Sequence, residues 1–507
     1  MLATLRGLVL VLALGLDSAQ AQEQARFRPD TQAIARDVSQ FLSGRDVPSA
    51  VVGVYDAQGM IWEEAYGYAD RGRRIRATVD TQYQIGSITK LFTATLAVIL
   101  RDEGVIVLDD PVARWLDPGT AMPAPLPGGA PAISIRHLLT QSSGLPANPV
   151  NRVDVDGVMQ PYSVRNLYAG LRETTLAAPT GTRVIYSNLG YGLLGYALER
   201  AAGVRYEDLL RQRLLSPLGM SATTITLSPA QERTLARHYW HQDERRQPQH
   251  RWVFGEVAGF GGLVSTVPDL ARFLSMQLRA DGTGPVSAAS LEQMQRPQMH
   301  WQPTYDMGFA WQTWRSPGMG AILTHGGEVD GHGSYAAFSR PLGVGVIVLT
   351  NLGGPTSVDM GEMVLARVVA DARAQREPTR AEAASLSNDE DWINAEWAWA
   401  SVLRTTPDDG EAHFRRGVAA FNLNRFELAI AEFDEAVRLD AIVAGAHITA
   451  ARALAALGRD DEAFARIRAA VRAGYTAVGN IQAHPEFSRL RGNPRWSALV
   501  DDAIAHR

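Results

Sequence analysis

The chain has 507 residues, 46% hydrophobic and 20% charged, with a formal net charge of −5. That length calls for two or more domains with ample core, and the acidic balance offers no basic surface for nucleic acid. The complete absence of cysteine excludes disulfides, thiol catalysis and thiolate metal sites.

In chain order, Met1–Arg6 carries one positive charge, Gly7–Leu16 is an apolar run, and Ala19-Gln20-Ala21 is a small-x-small cleavage pattern. This predicts a secretory signal peptide over 1–21, cleaved after Ala21. The apolar run is too short to span a bilayer, no Cys follows it for lipid attachment, and no later stretch reaches transmembrane length. The expectation is an exported protein without a stable membrane anchor, secreted to a bacterial periplasm.

From Ser49 the pattern becomes strand-like. Ala50–Tyr55 and Met60–Tyr66 flank a turn at Asp56-Ala-Gln-Gly59 and predict a hairpin. A helix follows from Ser87 to about Glu103, closed by Gly104. Ile88, Leu91, Phe92, Leu96, Val98, Ile99 and Leu100 cover most of its circumference, which places it in the middle of a domain. Between about 105 and 315 the pattern is helical segments and long Pro/Gly-rich loops, with helices over Ile133–Gln141 and Asn188–Ala202. Strand patterns return at Ala321–His325, Gly333–Phe338 and Gly343–Thr350. The economical fold is α+β: one antiparallel sheet from N- and C-terminal strands over 22–370, with a helical subdomain inserted between them.

Residues 371–389 are rich in Ala, Arg, Glu and Ser and read as a linker. Over 390–507 the chain is self-similar at a period of 34: Ala395, Ala429 and Ala463 share a register, as do Trp399, Phe433 and Ile467. Gly417 and Ala451 follow it too. This small/large alternation resembles tetratricopeptide helical hairpins, an all-α domain that presents a concave surface to a protein or peptide partner.

One residue stands out by composition. Lys90 is the only lysine among 49 Lys and Arg. Arg cannot lose its proton in a protein, whereas a desolvated Lys can become a base. Ser87 lies three residues earlier, on the same helix face, about 5–6 Å away at Cβ, and at a helix start where free N–H groups stabilise an oxyanion. A plain reading remains open for this pair, with Ser87 capping the helix and Lys90 paired to an acid. A second group is Tyr186-Ser187-Asn188, where a phenol near a lysine can share its proton and an Asn amide can hold a substrate carbonyl. A turn and helix cap explain it equally. The third is His325-Gly326-Gly327 at a strand end, where glycines admit another backbone or mark a bulge.

In this order the three groups resemble the penicillin-recognising serine hydrolases, which comprise class C β-lactamases, D-alanyl-D-alanine peptidases and related esterases and D-amino-acid peptidases. Leu138-Leu-Thr-Gln-Ser-Ser-Gly-Leu-Pro146, Ser216-Pro-Leu-Gly-Met220 and Gly261-Gly-Leu-Val-Ser-Thr266 extend the similarity across about residues 28–370. The resemblance implies a class C β-lactamase-like sheet with helices and an acyl-enzyme on the nucleophile Ser87. It implies Lys90 as proton partner, Tyr186 as base and leaving-group acid, and Asn188 positioning the substrate or Lys90. It also implies substrate contacts along His325, Gly326 and Gly327, with an oxyanion hole from the N–H groups of Ser87 and Glu328. The substrate would be a small molecule or short peptide with an amide, peptide or ester bond, and no cofactor is implied. Typical β-lactamases begin the third motif with Lys, whose charge holds a substrate carboxylate. His325 is mostly neutral above pH 7, which favours ester or peptide hydrolysis over β-lactam hydrolysis.

Competing readings are weaker. Zinc would need His325 with His332, or His238, His241 and His250, but no helical i, i+4 pair or carboxylate pattern accompanies them. There is no Gly-x-Ser-x-Gly elbow for an α/β-hydrolase. A non-catalytic binding protein that uses the repeats as a partner scaffold is opposed by the intact Ser87, Lys90, Tyr186 and Asn188 set.

Overall fold

A computed structural model describes residues 26–505, apart from 127–128, 153, 156–157, 240–247, 250, 280 and 476. The signal peptide predicted over 1–21, and His241 and His250, lie outside the described residues.

A valine-rich run and a second run rich in aromatic and aliphatic residues, turning at Gly59, make a hairpin of β1 (Ser49–Asp56) and β2 (Gly59–Asp70), extended by β3 (Ile75–Arg76). The C-terminal strands are β4 (Met299–Gln302), β5 (Tyr305–Met307), β6 (Gln312–Ser316), β7 (Gly320–Val329), β8 (His332–Ser339) and β9 (Val344–Thr350). All nine form one antiparallel sheet in the order β4-β5-β6-β7-β8-β9-β1-β2-β3, so the two ends of the domain meet where β9 pairs with β1. Strands β1, β8 and β9 are buried along their whole length because both faces of the sheet are covered. On one face Val52, Val54, Val346 and Val348 pack with α1 (Thr31–Ser43) and a later helix, α5 (Thr356–Gln375). On the other, Val51, Tyr55, Ile347 and Leu349 join the core built around α2 (Thr89–Asp102) and α4 (Val267–Arg279). The period-two alternation of the valine runs divides the side chains between the two cores.

The helical subdomain lies between β3 and β4, as the sequence predicts. Helix α2 is buried over Thr89–Leu100, and α3 (Asn188–Ala202) ends on Gly203 in the left-handed conformation. Strands β4, β5 and β6 fall in the stretch expected to be helical or looped. They are three to five residues long and polar, too short for an alternation to show against the surrounding turns.

The stretch 371–389 read as a linker is largely helical. Helix α5 runs on to Gln375, and α6 (Arg380–Asn388) opens with a Thr379/Glu382 capping box. Beyond it come α7 (Trp392–Thr405), α8 (Gly410–Asn422), α9 (Phe426–Arg438), α10 (Val443–Ala456) and α11 (Asp460–Arg472). The 34-residue register is structural: Ala395, Ala429 and Ala463 are fully buried on α7, α9 and α11. A Cβ on Gly417 would meet the Phe433 ring at 2.7 Å, so the small position lets the two helices close on the large one. The repeats attach to the sheet through polar bonds. The Arg373 guanidinium donates to Asn394 Oδ1 at 2.7 Å and to the Met319 carbonyl at 2.9 Å, at the turn leading into β7.

Candidate active site

The site forms where the chain enters α2. Gly86 adopts φ +49° and opens a 3₁₀ turn, Gly86–Ile88, directly before the helix. A side chain there would be strained and its Cβ would lie 2.7 Å from the Glu328 nitrogen, so only glycine lets this turn press against β7. A Cβ on Gly327 would stand 2.1 Å from the Ile85 carbonyl and 3.0 Å from the Ser87 nitrogen. These two bare positions bring the backbone nitrogens of Ser87 and Glu328 to the same end of α2. The Glu328 nitrogen is thereby packed against the serine turn that carries the Ser87 nitrogen.

Ser87 and Lys90, one turn apart, face each other. Lys90 Nζ lies 2.8 Å from Ser87 Oγ and donates to the Phe260 carbonyl at 2.8 Å. The side chain is fully buried, with Nζ 4.8 Å from the centroid of Tyr186, 5.8 Å from Phe260 and 6.0 Å from Tyr191. Burial alone pushes its ammonium well below the ordinary lysine range, because no carboxylate offsets the desolvation. The plain reading of a lysine paired to an acid does not describe this residue. Nor does Ser87 act as an N-cap: the helix entry has no side-chain cap bond.

Tyr186 precedes α3 and approaches the pair from the other side. Its ring centroid is 6.3 Å from that of His325. Burial pushes its phenol far above the ordinary value, and a hydrogen bond with Ser87 offsets part of that shift. His325 on β7 is buried and its imidazole falls to about 3, chiefly through burial and then through Lys90 nearby, with a bond to the Gly326 carbonyl acting in the opposite sense. The ring is therefore neutral at pH 7. Its Nδ1 lies 2.6 Å from the Gly326 oxygen, which makes Nδ1 the protonated nitrogen, and its Nε2 has no hydrogen-bond partner.

Asn188 stands at the start of α3, where Ser187 caps the helix by accepting from Gly190 N–H at 2.9 Å. Its Nδ2 donates to Asn148 Oδ1 at 2.9 Å, and its Oδ1 is buried without a partner. The open Oδ1 is an acceptor for an N–H, not the donor that holding a substrate carbonyl needs. The bond that orients Lys90 comes from Phe260 instead. The Glu328 side chain accepts from Gly354 N–H at 2.6 Å, so its carboxylate is engaged there.

The structure thus gathers Ser87, Lys90, Tyr186, His325, Gly326, Gly327 and the Glu328 nitrogen, with Asn188 beside them. It adds Phe260, Asn148 and Trp301. Phe260 acts through a carbonyl that any residue would supply, so its side chain carries no signal. Trp301 stacks on Tyr186 with centroids 6.3 Å apart at 18°, from the short strand β4. Among the described residues no cluster of three or more metal-ligating side chains occurs. His332, considered above as a zinc ligand, instead stacks on His238 at 3.7 Å.

Known proteins share this arrangement of elements. A family model described as Beta-lactamase matches residues 34–370, and one described as Tetratricopeptide repeat matches 410–441. The chain is 29% identical to the D-alanyl-D-alanine-carboxypeptidase/endopeptidase AmpH of Escherichia coli K12 over 264 residues, 52% of this chain and 66% of that protein, just under two thirds of its length. It is 29% identical to penicillin-binding protein 4 of Amycolatopsis lactamdurans over 326 residues, 61% of this chain and 82% of that protein. Among solved structures, a β-lactamase/D-alanine carboxypeptidase from Yersinia pestis complexed with citrate superposes with TM-score 0.58 at 26% identity, covering 68% of this chain and 99% of that one. An octameric penicillin-binding protein homologue from Pyrococcus abyssi gives TM-score 0.60 at 25% identity, covering 67% of this chain and 78% of that one.

Proposed function

The chain belongs to the β-lactamase family, with a tetratricopeptide repeat in its C-terminal part, and from that premise we propose that it is an exported serine hydrolase cleaving an amide, peptide or ester through an acyl-enzyme on Ser87. The observation that carries the reading is the 2.8 Å approach of a buried, carboxylate-free Lys90 amine to Ser87 Oγ. A neutral amine at that distance accepts the hydroxyl proton as Oγ attacks a carbonyl carbon. The developing oxyanion takes hydrogen bonds from the N–H groups of Ser87 and Glu328. The tetrahedral intermediate collapses when the proton held by Lys90 passes through Tyr186, whose raised phenol favours the protonated form, to the departing nitrogen or oxygen. Water then attacks the ester carbon of Ser87, its proton taken by the same groups, and the acid product leaves.

The substrate is best read as a short peptide, amide or ester. The relatives include a carboxypeptidase and β-lactamases by name, but in this chain the third motif begins with a neutral His325, which cannot hold a carboxylate by charge. The repeat domain supports a protein or peptide partner for the enzyme. Among the described residues no helix is long and apolar enough to cross a membrane, and the leader pattern over 1–21 supports export.

A fluorophosphonate and a fluorescent penicillin, applied to wild type and Ser87→Ala, test the nucleophile; equal labelling of both would remove the assignment. A panel of short-chain esters, D-aminoacyl amides, acyl-D-Ala-D-Ala and a chromogenic cephalosporin then ranks the substrate classes.

A further inference from the structure

A cavity of about 350 Å³ is walled on one side by two residues of the site, Tyr186 and His325. Its other walls include Trp301, Tyr305, Tyr335 and Glu362. Trp301 and Tyr305 meet edge to face at 6.1 Å, and Trp301 lies flat against Tyr186, so aromatic surface bounds much of the space. Of all the lining residues, Glu362 alone carries a formal charge at neutral pH, since His325 is neutral. Glu362 reaches the cavity from α5, one turn after Val358, and no ion pair holds its carboxylate among the described residues. Burial and the neighbouring Asp359 both raise it, the condition of an anion short of a counter-charge. His325 Nε2 is buried there without a hydrogen-bond partner.

We propose that this cavity is a subsite for a cationic group, an ammonium or guanidinium, carried by the leaving-group half of the substrate. A cation between aromatic faces and a carboxylate gains from both the ring quadrupoles and the charge. The same walls disfavour a carboxylate, which would meet Glu362 with no base to hold it. The leaving-group side follows from Tyr186: the residue that hands a proton to the departing atom also forms a wall of the cavity, so whatever is bonded to that atom extends into it. This assignment of sides rests on the serine hydrolase reading above.

Two measurements separate the subsite from the catalytic reading. Butyrylthiocholine and its uncharged isostere, S-(3,3-dimethylbutyl) thiobutyrate, share acyl group and shape and differ in the charge of the leaving thiol. Wild type should cleave the cationic ester with kcat/KM at least about tenfold higher, from the size of a partly desolvated cation–π contact with a nearby carboxylate. Glu362→Gln should lose most of that preference while keeping its rate on the neutral ester. Independently of turnover, calorimetry with butyltrimethylammonium should show about tenfold weaker binding to Glu362→Gln than to wild type. Equal kcat/KM on the two esters, or equal affinity of wild type and Glu362→Gln for the ammonium, overturns the subsite. Ammonium binding that depends on Glu362 with neither ester cleaved and no fluorophosphonate label on Ser87 would retain the cation site and remove the hydrolase reading.

Discussion

Phe260 holds Lys90 through the main chain: the carbonyl oxygen of one accepts from the amine of the other at 2.8 Å, and the same amine faces Ser87 Oγ at 2.8 Å. A carbonyl orients a neutral amine without supplying charge. This differs from a carboxylate, which would stabilise the ammonium and spoil the base.

Lys90→Arg should therefore be nearly inactive although it keeps a basic side chain. The guanidinium cannot be deprotonated, and loss of a general base costs on the order of 10²–10⁴-fold in kcat. Steady-state kinetics and fluorophosphonate labelling read this out, with circular dichroism to confirm folding. Retention of wild-type activity within about tenfold would contradict a removable proton at Lys90. In the wild type, activity should fall on the acid side as Lys90 becomes protonated, because only the free amine can take the Ser87 proton.

Gly327→Ala should damage catalysis without unfolding the domain. The added methyl would sit 2.1 Å from the Ile85 oxygen and 3.0 Å from the Ser87 nitrogen, both backbone atoms that cannot rotate aside. The strand and the serine turn must separate, and displacement of reacting groups by about 1 Å can cost about 10²-fold. Neighbouring strands β6 and β8 still hold β7 in the sheet. The expected result is a large fall in kcat/KM with a modest change in Tm. A Gly327→Ala enzyme within threefold of wild type would show that the close approach does not set the oxyanion geometry.

Much of this site was legible because its chemistry resides in side chains with few substitutes. A solitary lysine among arginines, three residues after a serine, raises a removable proton as one of two open readings before any fold is known. Tyr186, Asn188 and His325-Gly-Gly gain meaning from their order behind that pair. The buried strands were legible for a related reason, as valine-rich runs such as Ala50–Val54 leave few alternatives. What stayed hidden acts through the backbone or through short polar segments. The Phe260 carbonyl could belong to any residue, and Trp301 sits on a four-residue edge strand whose pattern is lost among turns. Glu362 lies on a long helix where the spacing shows a face but not which cavity it lines.

A buried histidine pair gives the last prediction, on stability against pH. His238 and His332 stack with ring centroids 3.7 Å apart at 7°. His332 Nδ1 accepts from Gln84 N–H at 2.8 Å and its Nε2 donates to the Ala236 carbonyl at 3.1 Å. His238 Nε2 meets Gln84 Oε1 at 2.9 Å, Tyr83 tilts against His332 at 5.4 Å, and Arg251 and Arg237 add positive charge near His238. Burial, then His332 and the two arginines, push His238 well below the ordinary histidine value, and burial brings His332 to about 3. Both folded values lie below that of an unfolded histidine, about 6.5, so the unfolded chain binds more protons under mildly acidic conditions. Stability from the pair is complete above about pH 6.5 and declines as pH falls below it, on the order of 1.4 kcal/mol per pH unit for each proton. Thermal melts of wild type should show Tm dropping between pH 7 and pH 5. A His238→Gln, His332→Gln double variant should start lower at pH 7 yet lose less over the same interval, since neither glutamine titrates. Parallel Tm curves for the two proteins would mean that other groups carry the acid sensitivity and that this pair is already relaxed by water before it charges.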